Sequence, residues 1–494
     1  MLLRRAVLSF LLVAFASGCS ASAPPALTIV HFNDVYEIGP VEGGRVGGLA
    51  RVATVINDLR RTNAPVMTTL GGDFLSPSAL ATARVDGEPL AGRQMVDVLN
   101  AVGLEYATLG NHEFDLAEPA FHARLAQSEF KIITSNVTDL NGVPFPHTES
   151  FAVVPVRVGN RDLKIGLIGV VLDSNPKAWV RYLPVIDSAR AAIAKMGAVD
   201  AIVALTHLSL QSDQELVTAI PEIDLSLGGH EHENWLVYRG PNLTPIVKAD
   251  ANVRSLAVIS MTFPTGHRPQ VSVRLAPITE AITADPAVEA EVTRWTTVAF
   301  DAFRADGFTP DRVIASLTTS LDGRESTVRN RSGNMTDLIT AALNAEAGDV
   351  DVAIMNGGSI RIDDELPAGP VTEYDVIRVL PFGGNVVRLS MPGSLLARVL
   401  DVGVTNKGNG GFLHAHGVTR PGAQWMVQGK PLNPSVRYTV ATTDFLMTGR
   451  ETNLPFLTRD HPLVRDVEDL RDIRLAVMAE MAKQHPPAGA TPPQ

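Results

Sequence analysis

One pattern recurs along the chain: a short apolar run, a polar or glycine-rich turn, then a helical stretch. Strands are expected at 27–32, 65–70, 131–135, 163–170, 201–206, 225–227 and 256–262, with helical periodicity at 49–61 and 92–101. Strand and helix in alternation point to an α/β domain. In such sheets the loops past the carboxyl ends of strands build the site, and here those turns carry His, Asp and Asn. A glycine-free stretch, 285–305, reads as one connecting helix. A second α/β block follows, with strands near 352–355 and 386–391 and helices near 335–345 and 393–402. At 494 residues the chain exceeds a single core. Its 45% apolar and 19% charged residues suit two packed domains rather than disorder. No internal repeat is evident.

The N-terminus reads separately. Arg4 and Arg5 precede an apolar run at 6–16, broken by Ser9, and then Ser17-Gly18-Cys19-Ser20. A basic start, a short apolar stretch and small residues make a secretory signal, too short to span a bilayer. A signal peptide at 1–18 and a spacer at 19–26 are therefore expected. Cys19 is the only cysteine, so a disulfide within the chain is excluded. It stands where a bacterial lipoprotein signal places its acylated residue, although Ala16 departs from the commoner Leu; an ordinary signal with an incidental cysteine is the alternative. With Ser20 rather than Asp after it, the expectation is a periplasmic protein anchored to the outer membrane through lipidated Cys19, with no other membrane attachment. The Pro- and Ala-rich tail, 483–494, is expected to be mobile. A net charge of −11 argues against non-specific grip on polymeric nucleic acid. A small anionic substrate would need local positive charge, from metals or clustered Arg. A monomer is expected.

Five short segments hold side chains of the metal-ligand type: Asn33-Asp34-Val35-Tyr36, Gly71-Gly72-Asp73, Gly110-Asn111-His112-Glu113-Phe114-Asp115, Thr206-His207, and Gly228-Gly229-His230-Glu231-His232. Each follows or ends an apolar strand. Singly, an Asp after Gly-Gly is usually a turn residue, and a strand-end His is usually a surface or hydrogen-bonded one. Glycine also has its own logic, because backbone pressed against a metal site leaves no room for Cβ.

In this order the five segments resemble the calcineurin-like metallophosphoesterase signature, in the form found in the 5′-nucleotidase and UDP-sugar hydrolase family. The resemblance implies a four-layer α/β-β/α catalytic sandwich at 27–280, a connector at 281–308 and an α/β substrate-binding domain at 309–482. It also implies two metal ions. One would take Asp34, Asp73 and His232; the other would take Asp73, Asn111, His207 and His230. Imidazole suits Zn, Fe or Mn and oxygen ligands suit Mn or Mg, so the donor types leave the metal open. Two ions about 3.5–4 Å apart activate a water and clamp the phosphoryl oxygens. His112 would contact the phosphoryl or leaving group, with Asp115 orienting it. One position departs: the family usually has His where this chain has Tyr36. Three readings are open: Tyr36 does not ligate and that metal binds more weakly, it ligates Fe³⁺ as tyrosinate, or it reshapes the pocket for another substrate.

The second block continues the resemblance. Asn356, in Asn356-Gly357-Gly358-Ser359-Ile360-Arg361, opens a motif whose Arg361 would face substrate phosphates. Arg324 and Arg329 resemble a further basic pair, with a spacing of five where four is usual. Planar guanidinium groups match phosphate oxygens bidentately. Phe382 and Asn385, in Pro381-Phe382-Gly383-Gly384-Asn385, and Phe445 resemble the base-binding pair and its loop, with one glycine inserted. Glu451 stands where the family has an Asp that binds ribose hydroxyls, and Arg450 beside it is an added charge. The expected function is hydrolysis of nucleotides to nucleoside and phosphate. A UDP-sugar or cyclic-nucleotide phosphodiesterase, a hydrolase of another phosphate or sulfur ester, and a nucleotide-capturing lipoprotein with an impaired metal site are the alternatives.

Overall fold

The computed structural model describes residues 25–487 apart from positions 63 and 175. The signal segment and Cys19 lie outside the described residues. Two sheets form the first half. The larger has seven strands, with Ala26–Phe32 pairing in parallel with Val66–Leu70 and antiparallel with Ser255–Thr262. The second has six, centred on Arg161–Val171, Ala201–His207 and Leu225–Gly228, all parallel. The sheets pack face to face: Leu27, Ile29 and Met67 of the first meet Ile165, Leu167, Val203 and Leu227 of the second in one buried cluster. Helices Leu49–Arg60 and Arg93–Val102 cover the first sheet, while Val185–Met196 and Leu210–Ala219 cover the second. The result is the expected four-layer sandwich.

Register explains why the polar turns meet. Phe32 lies opposite Leu70, and Leu70 opposite Ala107, so three strands of one sheet end level with one another. Thr206 lies opposite Gly228 in the other sheet. The Asn33 side chain then ties the two sheets together: Asn33 Oδ1 accepts from Ala249 N at 2.8 Å, and its Nδ2 donates to Ala249 O at 3.1 Å.

The second half carries a five-stranded sheet in the order Leu413–His416, Val352–Asn356, Arg437–Thr443, Asn385–Pro392 and Arg465–Asp472. Helices Asn334–Glu346 and Ile473–Gln484 cover one face, and Gly393–Thr405 the other. The closing helix reaches Gln484, so the first two residues of the expected tail are helical.

The connector is the helix Pro286–Ala305. Asp285 caps it by accepting from Ala287 N and Val288 N, a contribution of about 0.5–2 kcal/mol, and Pro286 occupies its first turn. The helix is packed rather than free-standing. Val288, Val292, Trp295 and Phe303 are buried in a core cluster that runs through both halves, and the Phe300 ring lies 4.9 Å from the Tyr374 ring of the second. Polar contacts join the halves as well: Arg254 to Asp364 at 2.7 Å, Arg378 to Glu37 at 3.3 Å, and the Tyr374 hydroxyl donating to Glu37 at 3.1 Å.

Candidate metal centre and substrate cleft

The strand-end turns converge. Ligand-type atoms of Asp34, Asp73 and His207 lie within 4.8 Å of one another, and all three residues are buried. His207 Nε2 is 3.2 Å from Asp73 Oδ2 and 3.1 Å from Asn111 Oδ1. Its Nδ1–H donates to Gly71 O at 2.7 Å, which fixes the tautomer and leaves Nε2 facing the carboxylates. The His230 ring packs edge-on to His207 at 5.3 Å, and His232 Nε2 is 3.4 Å from Asp34 Oδ1. All six expected ligands are thus brought to one end of the sandwich.

The backbone accepts strain to place them. Asp34, Asp73, His230 and His232 adopt φ of 52°, 55°, 88° and 63°, the left-handed region, which costs a non-glycine residue about 1–3 kcal/mol. Space is equally tight. A Cβ on Gly110 would stand 2.1 Å from Asp73 Oδ1, and one on Gly229 would stand 2.7 Å from Asp34 Oδ2. The electrostatics suit a cation. Burial alone would push the His207 imidazole down, yet Asp73 lifts it to about 9, so its proton balances carboxylate charge that a metal would otherwise balance. Burial and the neighbouring His207 lower His230 to about 3, leaving it neutral and able to ligate. Buried carboxylates, neutral imidazole and an amide oxygen form a donor set that fits first-row divalent ions or Mg.

Tyr36 reaches into this centre. Its hydroxyl is 2.9 Å from His232 Nε2 and 3.4 Å from both Asp34 Oδ1 and Asp73 Oδ2. Burial, with Asp73 and Asp34 beside it, pushes the phenol well above its ordinary range, which favours the neutral form.

Beside the centre, His112 Nδ1 meets Asp115 Oδ2 at 2.6 Å, and the His112 backbone N–H donates to Asp73 Oδ1 at 2.8 Å. Arg361 comes from the second half, with Nη2 3.3 Å from His112 Nε2. Its Nε is buried with no partner within the protein, a donor that an anionic substrate would satisfy. A cavity of about 1010 Å³ opens here, lined by Asp115, Arg329, Arg361, Phe382, Phe445 and Glu451 among others. Phe382 and Phe445 are 60% and 42% exposed, so both offer apolar surface to a ligand in the cavity they line.

Four expected substrate contacts look different in place. Arg324 is turned away from the cleft: it pairs with Asp322 at 2.9 Å and Glu365 at 3.0 Å and lines a separate cavity with Arg45 and Arg254. Asn385 stands outside the cavity lining, with its backbone N–H donating to Asp444. Glu451 is buried, and Asn356 Nδ2 donates to its Oε2 at 2.7 Å, so these two bind each other.

Three organising residues carried no expected role. Glu113 accepts from the N–H groups of Gly110, Asp73, Phe74 and Leu75, which knits two metal turns together. Fully buried Lys248 donates to Leu208 O and Gly229 O, each at 2.7 Å, and pairs with Glu231, holding the turn that carries His230 and His232. Asp363, two residues past Arg361, pairs with His232. Glu113 stands inside one of the five ligand-type segments; nothing local marks the other two.

Comparison with known proteins decides the family. Residues 27–234 match the calcineurin-like phosphoesterase family, and residues 313–459 match the 5′-nucleotidase C-terminal domain. The chain belongs to the 5′-nucleotidase family. It is a metal-dependent phosphoester hydrolase. The 5′-nucleotidase of Bos taurus is 26% identical over 455 residues, covering 81% of this chain and 75% of that protein. Among solved structures, a 5′-nucleotidase precursor from Thermus thermophilus superposes with a TM-score of 0.75 at 23% identity, covering 93% of this chain and 97% of that one. The sulfate thiohydrolase SoxB from the same organism superposes at 0.69 with 17% identity, covering 93% and 94%. Both structural likenesses concern the fold.

Proposed function

We propose that this chain is an exported 5′-nucleotidase that uses two metal ions to release phosphate from nucleotides. The observation that carries the reading is the junction of metal centre and cleft: Arg361 of the second half lies 3.3 Å from His112 of the first, at the mouth of a cavity carrying two exposed Phe rings. When bound, the metals would supply an activated water and positive charge at the phosphoryl oxygens. Asp34, Asp73, Asn111, His207, His230 and His232 would hold them, with Asp73 shared.

The protein's own groups do the rest. Asp115 orients His112 so that Nε2 faces the substrate and can stabilise charge on the phosphoryl or leaving group, a contribution of about 10²–10⁴-fold. Arg361 and Arg329 position the phosphate. Phe382 and Phe445 offer faces to a base, each stack worth ~1–3 kcal/mol. The cleft also holds Arg450, which favours a second reading, a substrate with a further anionic group such as a UDP-sugar.

Arg4 and Arg5, the apolar run and Cys19 support export and a lipid anchor at the outer membrane. Among the described residues no helix is long and apolar enough to cross a membrane.

Phosphate release from AMP, UDP-glucose and a cyclic nucleotide, each assayed with Mn, Zn, Mg and Fe, tests the proposal. AMP is expected to be cleaved fastest. Cleavage of none of the three would overturn it.

A further inference from the structure

The segment 360–364 of the second half touches the first half at two points of the site. Arg361 reaches His112, and two residues later Asp363 reaches His232. Asp363 Oδ2 meets His232 Nδ1, while Asp363 Oδ1 accepts from Glu325 N at 2.7 Å. The carboxylate is thus held by its own domain through one oxygen and grips the other domain's histidine through the second. Its backbone is strained to do so, with φ of 39°. On the opposite edge of the ring, His232 Nε2 faces Tyr36 and Asp34 inside the metal centre.

We propose that Asp363 is a positioning residue for one metal: by accepting from His232 Nδ1–H across the domain boundary, it presents Nε2 to the cation and makes that metal's affinity depend on how the two halves are seated. This rests on His232 being a ligand, as proposed above.

The chemistry is specific. A carboxylate behind a ligating imidazole fixes the tautomer and ring orientation and raises its basicity, and loss of such a partner typically costs about 10–100-fold in metal affinity. Two other cross-domain contacts, Arg254–Asp364 and Arg378–Glu37, join the halves without pairing with a proposed ligand. Of these three, Asp363 is the one that acts on a proposed ligand. When the halves separate, His232 loses this partner, whereas His207 keeps Gly71 O, which belongs to its own domain. The two metals therefore differ in their response to domain movement.

Asp363→Asn is the sharpest variant. It keeps the volume and an oxygen that can accept from Glu325 N–H, but an amide donating to Nδ1 moves the imidazole proton to Nε2, the atom that should ligate. The experiment is Mn²⁺ binding to the full mature chain, by elemental analysis and chelator competition. The wild type is expected to bind two ions, and Asp363→Asn to keep one unchanged while the other weakens about 10–100-fold. In a His232→Gln background the same substitution should change nothing further, because the ring it orients is gone.

Four results would overturn the inference. The first is Asp363→Asn binding both ions within about threefold of wild type. The second is an equal weakening of both ions with a matching loss of metal-free thermal stability, which marks a folding role. The third is an effect as strong without His232 as with it. The fourth, a wild type that binds no Mn²⁺, would remove the two-metal reading as well, whereas the first three leave that reading standing.

Discussion

The hydroxyl of Tyr36 stands 2.9 Å from Nε2 of His232, inside the set of side chains that should hold a cation. A neutral phenol is a weak ligand for a divalent ion, and its burial beside two carboxylates opposes ionisation. Tyr36→His places an imidazole where the phenol now sits. It should tighten the weaker Mn²⁺ position by about tenfold or more, since loss of even an outer partner of a ligand typically costs about 10–100-fold, and raise turnover at limiting metal. Unchanged metal affinity would show that Tyr36 shapes the pocket rather than limiting the metal.

His112 is assigned to no metal, yet its Nδ1 is held by Asp115 at 2.6 Å. His112→Ala should lower kcat by about 10²–10⁴-fold with two metals retained. Asp73→Ala, in contrast, should lose both metal and turnover. Metal analysis alongside steady-state kinetics separates the two outcomes.

Phe382 and Phe445 should recognise a base and little else. Phe445→Ala is expected to raise KM for AMP by about 5–150-fold, the equivalent of ~1–3 kcal/mol, and to leave cleavage of p-nitrophenyl phosphate nearly unchanged. Equal losses on both substrates would place Phe445 in the packing of the domain instead.

His31 gives the fold an acid sensitivity independent of catalysis. It is fully buried, Nδ1 lies 3.0 Å from Thr69 Oγ1 and Nε2 3.0 Å from Gly228 O, and burial lowers its pKa from 6.5 to about 4. Between those values the unfolded chain takes up a proton that the native one refuses. Its contribution is therefore fully present above the unfolded value and is lost on acidification, by about 1.4 kcal/mol per pH unit. His31→Gln should flatten the dependence by one proton in urea unfolding at pH 5 and 6.5.

The site was legible because its residues sit at strand ends, where one local pattern, apolar run then Gly, Asp, Asn or His, fixes both position and chemistry. Phe32 opposite Leu70 turns that pattern into convergence. The strand Arg465–Asp472 was not legible: every residue in it except Val467 and Leu470 is charged, and such an edge strand carries no apolar alternation. Arg324 misled for a local reason. Asp322, two residues away, offers a bidentate partner at 2.9 Å before any substrate can. Asp363 was hidden by distance, since its partner His232 lies 131 positions earlier and nothing in either segment names the other.

Metals at Asp34, Asp73, Asn111, His207, His230 and His232 are what should make this chain cut nucleotide phosphate esters. Phosphate release from AMP by one preparation, stripped with chelator and then titrated with Mn²⁺, puts that to the proof. The stripped protein should release nothing, and activity should recover fully as two ions bind per chain. Release that persists without metal, or two bound ions with no release, would refute it.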